Sequence, residues 1–256
     1  MNTLQLFVTF VGRIIYMIQL EHLTRRFGQK TAVDDISVNI KDGCITGFIG
    51  PNGAGKTTTI HMMTGVLEPS EGSVLINGIN LKEKPIEAKK QFALVPDSPD
   101  LFVRLSAREY VQLLCAIYET DPKRAEENLA KYARRFEIED VLDSKMQSYS
   151  HGMRQKAIIT AALCTDPDVL ILDEPMTGLD PVASFQLKEI MKERAAQGKA
   201  VFFSTHVLEV AEKLCDAILI INQGKIVYEG TLDELRALHP ECASLEEVFM
   251  EVVGSE

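Results

Sequence analysis

The segment that most constrains this fold is residues 50–57, whose sequence GPNGAGKT matches the pattern G-x-x-x-x-G-K-[ST]. It follows the apolar run ITGFI and leads into a helical pattern that starts near Thr57. Glycines let backbone N–H groups turn inward around phosphates at a helix N-terminus, while the lysine supplies positive charge and the threonine hydroxyl reaches Mg²⁺. This context of strand, loop and helix predicts a phosphate-binding loop rather than a glycine-rich turn with a solvated lysine.

Apolar runs alternate with helical patterns along most of the chain, which is typical of βαβ units and predicts an α/β fold with a mostly parallel sheet. The core strands are expected to be nearly all apolar because helices cover both faces of such a sheet. They are predicted at residues 45–49, 92–95, 169–172, 201–203 and 217–221. An antiparallel layer beside this sheet is predicted where polar residues interrupt the apolar pattern, at residues 18–23, 33–40 and 74–76.

Helix signals replace strand signals between the second and third core strands. Ser106 and Glu109 form a capping box, and Asp121 followed by Pro122 is typical of an N-cap and the first helical position. A helical subdomain inserted into the α/β core is therefore predicted. Other helix boundaries are predicted at Asp180-Pro181, which opens a helix that Gly198 ends, and at the caps Thr231/Glu234 and Ser244/Glu247 of two C-terminal helices.

Composition excludes two classes of function. The 256 residues include 27 Lys and Arg against 37 Asp and Glu, a net charge of −10 that repels phosphate backbones, so we expect no nucleic-acid partner. The five cysteines are scattered without a C-x-x-C spacing, which predicts neither a disulfide framework nor a zinc site. No apolar run approaches the roughly 18 residues that a membrane-spanning helix needs, so any membrane work would be done through partners.

Two of the core strands end in polar residues. The run VLILDE at residues 169–174 puts Asp173 and Glu174 at the carboxyl end of a buried strand, where α/β folds place their ligands. In a hydrolase Asp173 would hold Mg²⁺ through its water shell and Glu174 would act as general base; the alternative is an acidic start of a loop. The run VFFSTH ends at His206, and from the residues alone a single histidine after a strand is more often structural than catalytic.

The segment YSHGMRQK at residues 149–156 completes a set of ordered motifs in which the chain from Met17 onward resembles the ATP-binding subunits of ABC transporters. Members of that family carry an adenine-stacking aromatic, the phosphate loop, a glutamine loop, the signature helix, a strand ending in Asp-Glu, a D-loop and a switch histidine. The matching positions here are Phe27, residues 50–58, Asp97, residues 149–153, Asp173-Glu174, residues 178–180 and His206.

This resemblance implies ATP and Mg²⁺ as ligands and a P-loop NTPase, RecA-like core with an antiparallel β layer and an inserted helical subdomain. It implies catalytic roles for Lys56, Glu174 and His206, and metal contacts from Thr57, Asp97 and Asp173. The implied ATP-binding residues are Phe27, Gly50, Pro51, Asn52, Gly53, Ala54, Gly55, Lys56, Thr57, Thr58, Ser150 and Gly152. At a dimer interface Ser150, Gly152 and Asp180 would contact the second subunit. The signature residues Ser150 and Gly152 would bind the γ-phosphate of the ATP that the second subunit holds.

The sequence leaves alternatives open at several of these positions. Phe27 fits a core aromatic as well as an adenine-stacking one. Asp180 precedes Pro181 and is equally consistent with an ordinary N-cap and with a contact across a dimer interface. His151 is expected to be an exposed histidine at a helix start rather than a pH switch.

Two departures from the family pattern bear on mechanism. The usual glutamine is Asp97, and a carboxylate still ligates Mg²⁺ but brings a negative charge to the hinge of the helical subdomain. The signature, commonly Leu-Ser-Gly-Gly-Gln, has Tyr149, His151 and Met153 at three of its five positions. Ser150 and Gly152, the positions that contact phosphate in the family, are kept.

We therefore expect an ATPase that powers a membrane transporter from the cytoplasmic face as a peripheral subunit. Its partners would be a separate permease and a second ATPase subunit, either a second copy or a close paralogue. Asp97, the altered signature and the tail SLEEVFMEVVG resemble ABC-2-type exporters, which favours export. The alternatives are a soluble ABC ATPase without a permease and a P-loop kinase or nucleotide switch; the kinase does not account for the signature helix and the Asp-Glu pair.

The predicted domain boundaries follow from these motifs. Residues 17–256 form one ATPase domain, with a catalytic core at 17–96 and 156–230, a helical subdomain at 97–155 and C-terminal helices at 231–256. Residues 1–16 lie outside the resemblance and lack the basic start and the cleavage pattern of a signal peptide. They are expected to be an upstream extension absent from the native protein, with a membrane-surface or docking segment and an extra structured element as alternatives.

Overall fold

Two β-sheets and a helical insert make up the part of the chain that the computed structural model describes, residues 16–98, 100, 102–240, 242 and 244–254. The strands are β1 (Tyr16–Phe27), β2 (Lys30–Lys41), β3 (Ile45–Ile49), β4 (Glu71–Ile76), β5 (Ile79–Asn80), β6 (Phe92–Val95), β7 (Val169–Leu172), β8 (Ala200–Thr205), β9 (Ala217–Asn222) and β10 (Lys225–Gly230). The helices are α1 (Lys56–Met63), α2 (Pro85–Lys89), α3 (Ala107–Ile117), α4 (Pro122–Arg135), α5 (His151–Cys164), α6 (Pro181–Ala196), α7 (Leu208–Leu214), α8 (Leu232–Leu238) and α9 (Leu245–Gly254).

The larger sheet has the strand order β10-β9-β3-β8-β7-β6, and all its pairs except β9–β10 are parallel. Its core strands are those predicted from the sequence, and β8 extends beyond the predicted residues 201–203 in both directions. Strands β3, β7 and β8 are buried at every residue, as strands with helices on both faces must be. Strand β10, which forms a hairpin with β9, was not predicted.

The smaller sheet is antiparallel with the order β2-β1-β4-β5, which confirms the predicted second layer. Apolar side chains of β1 and β2 share one buried cluster with Ile60, Met62 and Met63 of α1 and with Phe48 of β3. Helix α1, which follows the phosphate loop, is therefore fixed between the two sheets. Strand β1 begins at Tyr16, and residues 1–15 of the predicted N-terminal extension lie outside the described residues.

The predicted helical insert consists of α3, α4 and the first part of α5. Ser106 and Glu109 form both hydrogen bonds of the capping box at the start of α3, and the Asp121 carboxylate accepts a hydrogen bond from the Arg124 N–H at the start of α4. Both helices pack against α5, which continues into the core and ends just before β7. Helix α5 thus links the insert to the parallel sheet.

An ion cluster centred on the half-buried Asp166 joins the insert to the core. Asp166 lies in the turn between α5 and β7, and its carboxylate contacts Arg124 of α4, Arg194 of α6 at 3.2 Å and Lys199 before β8 at 2.5 Å. Burial raises the pKa of Asp166, but the hydrogen bond and charge of Lys199 and the two arginines outweigh burial and lower it below its usual range. One carboxylate therefore holds together one helix of the insert and two segments of the core.

Candidate functional site

The phosphate loop connects the carboxyl end of β3 to α1, and two of its glycines are required by close backbone approaches. A Cβ on Gly50 would lie 2.4 Å from the carbonyl oxygen of Ile221, and one on Gly55 would lie 2.8 Å from that of Ala32. Gly55 also has a φ of 114°, which disfavours any residue with a side chain. No side chain caps α1, so the first N–H groups of this helix face the loop without a side-chain acceptor, as an anion-binding helix start requires.

A cavity of about 680 Å³ opens above this loop and gathers residues that are far apart in the sequence. Phe27, at the end of β1, lines it and is 48% exposed, so the alternative of a core aromatic is wrong. Its other lining residues are Lys30, Thr31, Ala32, Asn52, Gly53, Gly55, Lys56, Thr57, Thr58, Asp97, Glu174 and Gln223. The aromatic, the phosphate loop and two of the predicted acidic residues therefore share one open pocket.

Lys56 is buried at the base of this cavity. Its Nζ donates hydrogen bonds to the carbonyl oxygens of Gly50 at 2.7 Å and Pro51 at 3.3 Å and lies 3.5 Å from Glu174 Oε1. The loop carbonyls hold the ammonium group at the point where the loop meets the carboxyl ends of the strands. A phosphate bound at the start of α1 would therefore meet a positive charge that is already in position.

Glu174 is held both by its side chain and by its backbone. Its Oε2 lies 2.9 Å from Nδ1 of His206, and its backbone N–H donates a hydrogen bond to Ser204 Oγ at 2.8 Å. The Ser204 hydroxyl donates in turn to Asp173 Oδ1 at 2.5 Å. The Asp-Glu pair at the end of β7 and the histidine after β8 thus meet at the carboxyl ends of these two neighbouring strands.

The donor groups around the cavity suit a hard, oxygen-loving cation. Burial raises the pKa of Asp97, and the negative charges of Asp173 and Glu174 raise it further, which means that three carboxylates lie within electrostatic reach of one another. The Thr57 side chain is exposed at the start of α1 on the same cavity. Carboxylate and hydroxyl oxygens fit Mg²⁺, which in nucleotide sites takes one or two protein ligands and completes its shell with phosphates and waters.

The signature residues lie outside their own subunit's cavity. Ser150 is the exposed N-cap of α5, and its Oγ accepts a hydrogen bond from the Met153 N–H at 3.2 Å. Gly152 packs so closely on the loop before α6 that a Cβ there would lie 2.6 Å from the carbonyl oxygen of Gly178. None of these residues lines the 680 Å³ pocket that the structure describes around residues 50–58.

Two of the three departures from the common signature, Tyr149 and His151, have structural explanations. Tyr149 is buried, and its hydroxyl donates a hydrogen bond to the carbonyl oxygen of Val141. His151 is the exposed first residue of α5, as predicted, and its ring covers Gly178, where an added Cβ would lie 2.3 Å from the imidazole carbon Cδ2. Tyr149 therefore makes a contact within the insert, while His151 connects the start of α5 to the loop before α6.

Asp180 is an N-cap in this structure. Its Oδ1 accepts a hydrogen bond from the Ala183 N–H at 2.9 Å and its Oδ2 lies 2.6 Å from Lys156 Nζ. The hydrogen bond to Lys156 and then the backbone bond lower the pKa of Asp180. The N-cap interpretation is confirmed, and a contact across a dimer interface stays a prediction.

Several residues of this pocket were not found from the sequence. Lys30, Thr31 and Ala32 are the first residues of β2, directly after the turn from β1, and Gln223 lies in the β9–β10 turn. They carry no motif, and only the tertiary structure brings these two segments beside the phosphate loop. Ser204 is buried in β8 and does not line this pocket, but it had a usable signal, because it is a polar residue near the carboxyl end of an otherwise apolar strand.

A family model described as ABC transporter matches residues 33–177 of this chain. The chain is 34% identical over 224 residues to the ABC transporter ATP-binding protein NatA of Bacillus subtilis, a match that covers 86% of this chain and 91% of that protein. It is 33% identical over 213 residues to the Nod factor export ATP-binding protein I of Burkholderia orbicola, covering 83% of this chain and 70% of the relative.

Solved structures agree with these sequence matches. An ATP-binding subunit of an ABC transporter superposes with a TM-score of 0.88 at 34% identity, covering 92% of this chain and 99% of that one. A dimeric ATP-binding cassette in a post-hydrolysis state, bound to ADP and phosphate, superposes with a TM-score of 0.75 at 27% identity, covering 84% and 99%. Within the described residues, no helix has the length and apolar character needed to cross a membrane.

Proposed function

Because this chain belongs to the family of ABC transporter ATP-binding proteins, which hydrolyse ATP to drive transport, we propose that it powers an exporter as a dimer docked on a separate permease. The observation that carries the proposal is the single cavity in which Phe27, the phosphate loop and Glu174 meet. Export is supported by the similarity to an ATPase named for Nod factor export and by Asp97 and the altered signature.

ATP would bind along the cavity from Phe27 to Glu174. Phe27 is exposed at the mouth, where its ring can stack on adenine. The triphosphate would lie on residues 50–58, contacted by the N–H groups at the start of α1 and by Lys56 Nζ. Lys56 would then exchange its contact with Glu174 for one with phosphate oxygens.

Thr57, Asp97 and Asp173 would hold Mg²⁺ together with the nucleotide. A magnesium ion bound there neutralises part of the charge on the β- and γ-phosphates. Asp173 is 2% exposed, and the Ser204 hydroxyl orients its carboxylate. Asp97 follows β6 at the entry to the helical insert. A contact between Asp97 and Mg²⁺ would therefore transmit nucleotide binding in the cavity to the helical insert.

Glu174 would take a proton from the attacking water at its carboxylate. His206 Nδ1 already contacts Glu174 Oε2, so the imidazole limits the orientations of the base and can contact the γ-phosphate with the rest of its ring. A general base of this kind contributes roughly 10²- to 10⁴-fold to the rate. Positive charge from Lys56 would stabilise the negative charge that develops on the transferred phosphoryl group.

Dimerisation would complete each site. Ser150 and the Gly152 N–H lie at the start of α5, outside their own cavity, so a second subunit would supply the phosphate that they contact. ATP would in this way connect two copies, or this chain and a close paralogue, and hydrolysis would release them. The dimeric cassette that superposes on this chain supports the arrangement.

Copurification with a membrane partner tests transport against the alternative of a soluble ABC ATPase. The chain is expressed with a membrane protein encoded by a neighbouring gene, where one is found, extracted in detergent and assayed for ATP hydrolysis with and without that partner. We expect copurification and a changed ATPase rate, and accumulation of a transported compound in inverted vesicles supplied with ATP. A chain that stays in the soluble fraction of its native cells and hydrolyses ATP at the same rate with or without the partner would contradict the transporter role.

Replacing Asp97 with glutamine tests the coupling of the hinge. The substitution removes a negative charge beside Asp173 and Glu174 but leaves the base in place, so we expect basal hydrolysis within about threefold of wild type and an altered stimulation by the permease. The measurement is the ATPase rate with and without reconstituted permease. Asp140→Asn, an exposed carboxylate of the same insert, is the matched control. Equal losses of the basal and the stimulated ATPase rate would instead show that Asp97 acts only as a metal ligand and does not couple hydrolysis to the permease.

A further inference from the structure

Ser204 occupies a fully buried position between the two acidic residues of the site. It lies in β8, opposite Phe48 of β3, and its side chain faces the segment that follows β7. The pairing of β7 with β8 ends at Leu172 and Phe203, so Asp173 and Glu174 are the first residues beyond the backbone ladder. Beyond the last backbone pair, the Ser204 hydroxyl connects β8 to the segment after β7 through hydrogen bonds to Asp173 and Glu174.

The backbone of Glu174 needs such support. Its φ of 45° lies in the left-handed region, where the Cβ of a residue other than glycine crowds the backbone. A backbone in this conformation persists only when its surroundings hold it there. The 2.8 Å hydrogen bond from the Glu174 N–H to Ser204 Oγ is a buried contact that does so.

The same hydroxyl acts on Asp173 through its proton. It donates to Asp173 Oδ1 at 2.5 Å, which leaves the carboxylate with fewer rotamers. A serine hydroxyl can donate one hydrogen bond and accept others at the same time, and its small size fits a fully buried strand position. Alanine has the size but neither hydrogen-bonding capacity.

We propose that Ser204 is a positioning residue for ATP hydrolysis, because it ties the side chain of Asp173 to the backbone of Glu174 and so sets the metal ligand and the base relative to each other. This role rests on the proposed function of the two acidic residues. Together with His206, two positions further along the chain, Ser204 holds Glu174 at its backbone and at its carboxylate. Binding of the triphosphate by residues 50–58 does not involve Ser204.

Substitution of Ser204 by alanine separates the positioning of Asp173 and Glu174 from the binding of the triphosphate. We expect kcat to fall by about tenfold or more, because a misplaced base and ligand lose near-attack geometry, while KM for ATP stays within about twofold of wild type. Mn²⁺ binding in the presence of a non-hydrolysable ATP analogue, followed by electron paramagnetic resonance, should weaken at least about threefold. Binding of the analogue without metal should be unchanged. Ser204→Thr, which keeps the hydroxyl, should recover most of the lost kcat.

Thr64→Ala is the matched control. Thr64 is also a buried hydroxyl, and its Oγ1 donates to the carbonyl oxygen of Ile60 at 2.8 Å at the far end of α1. We expect similar thermal unfolding for the two alanine variants and a selective loss of kcat for Ser204→Ala. If the threonine variant does not fold, Ser204→Cys replaces it, and a kcat between those of the alanine variant and wild type supports the role.

Two results would overturn the positioning role while leaving the proposed function intact. One is a folded Ser204→Ala protein with wild-type kcat and wild-type Mn²⁺ binding. The other is an equal loss of activity in Ser204→Ala and Thr64→Ala, which would reduce Ser204 to a contributor to stability. Failure of the proposed function has different signatures: a wild-type chain that hydrolyses no ATP would remove the ATPase role, and a wild-type ATPase rate that does not respond to the membrane partner would remove the transporter role.

Discussion

Replacing Glu174 with glutamine is expected to lower kcat for ATP hydrolysis by roughly 10²- to 10⁴-fold, the contribution of a general base, while ATP still binds. The amide cannot take a proton from water at neutral pH, but it keeps the size of the carboxylate. The substitution also removes the negative charge 3.5 Å from Lys56 Nζ, which leaves the ammonium group more available to phosphate. Single-turnover hydrolysis and binding of a fluorescent ATP analogue measure the two effects separately.

The same variant is expected to form an ATP-dependent dimer, because hydrolysis no longer separates the two subunits that ATP is proposed to connect. Size-exclusion chromatography at saturating ATP and Mg²⁺ should show a peak at twice the mass of the chain. Glu229→Gln, an exposed carboxylate of β10 outside the nucleotide cavity, is the control and should behave as wild type. A Glu174→Gln protein that remains monomeric at saturating nucleotide would contradict the shared-site arrangement.

Replacing Lys56 with alanine is expected to weaken ATP binding itself. A hydrogen bond to a charged group contributes about 1.5–3 kcal/mol, which corresponds to a roughly 10- to 100-fold loss of affinity. Hydrolysis at subsaturating ATP should fall further, because the positive charge that stabilises the transferred phosphoryl group is lost as well. Equilibrium titration with a fluorescent ATP analogue measures the affinity, and alanine is compatible with the first position of α1.

Lys89→Ala provides the comparison for this experiment. Lys89 also donates a hydrogen bond to a loop carbonyl, that of Gly65 at 3.1 Å, but it is exposed and lies away from the cavity. Its removal should leave ATP affinity unchanged. If Lys56→Ala binds ATP as tightly as Lys89→Ala does, the assignment of residues 50–57 as the phosphate-binding loop is wrong.

Local patterns were sufficient for the parts of this molecule in which neighbouring residues decide the structure. The core strands are continuous apolar runs, and buried strands have few alternatives. Helix starts such as Ser106 and Asp121 were predictable because a capping side chain satisfies an N–H only two or three residues away. The phosphate-binding geometry predicted for residues 50–57 is equally local, because one short loop and the start of one helix form it.

Features that depend on distant segments were not accessible in the same way. Strand β10 alternates half-buried and exposed residues and pairs only with β9, so its apolar signal was weak, although Gly224 with a φ of 81° marks the turn before it. Gln223 reaches the nucleotide cavity only because this turn lies against Ala32 and Ala54. The contacts of Ser204 required the alignment of β7 with β8, which no short pattern specifies.

The Asp166 ion cluster gives the helical insert the geometry of a lever. Helix α5 has 14 residues, and at 1.5 Å per residue it is about 21 Å long. Asp166 holds this helix near its C-terminus, whereas Ser150 lies at the opposite end. A rotation of about ten degrees around the fixed end displaces Ser150 by about 4 Å, more than the length of a hydrogen bond. Small angular changes at one end of α5 would thus be large enough to make or break the phosphate contact proposed for Ser150 at the other.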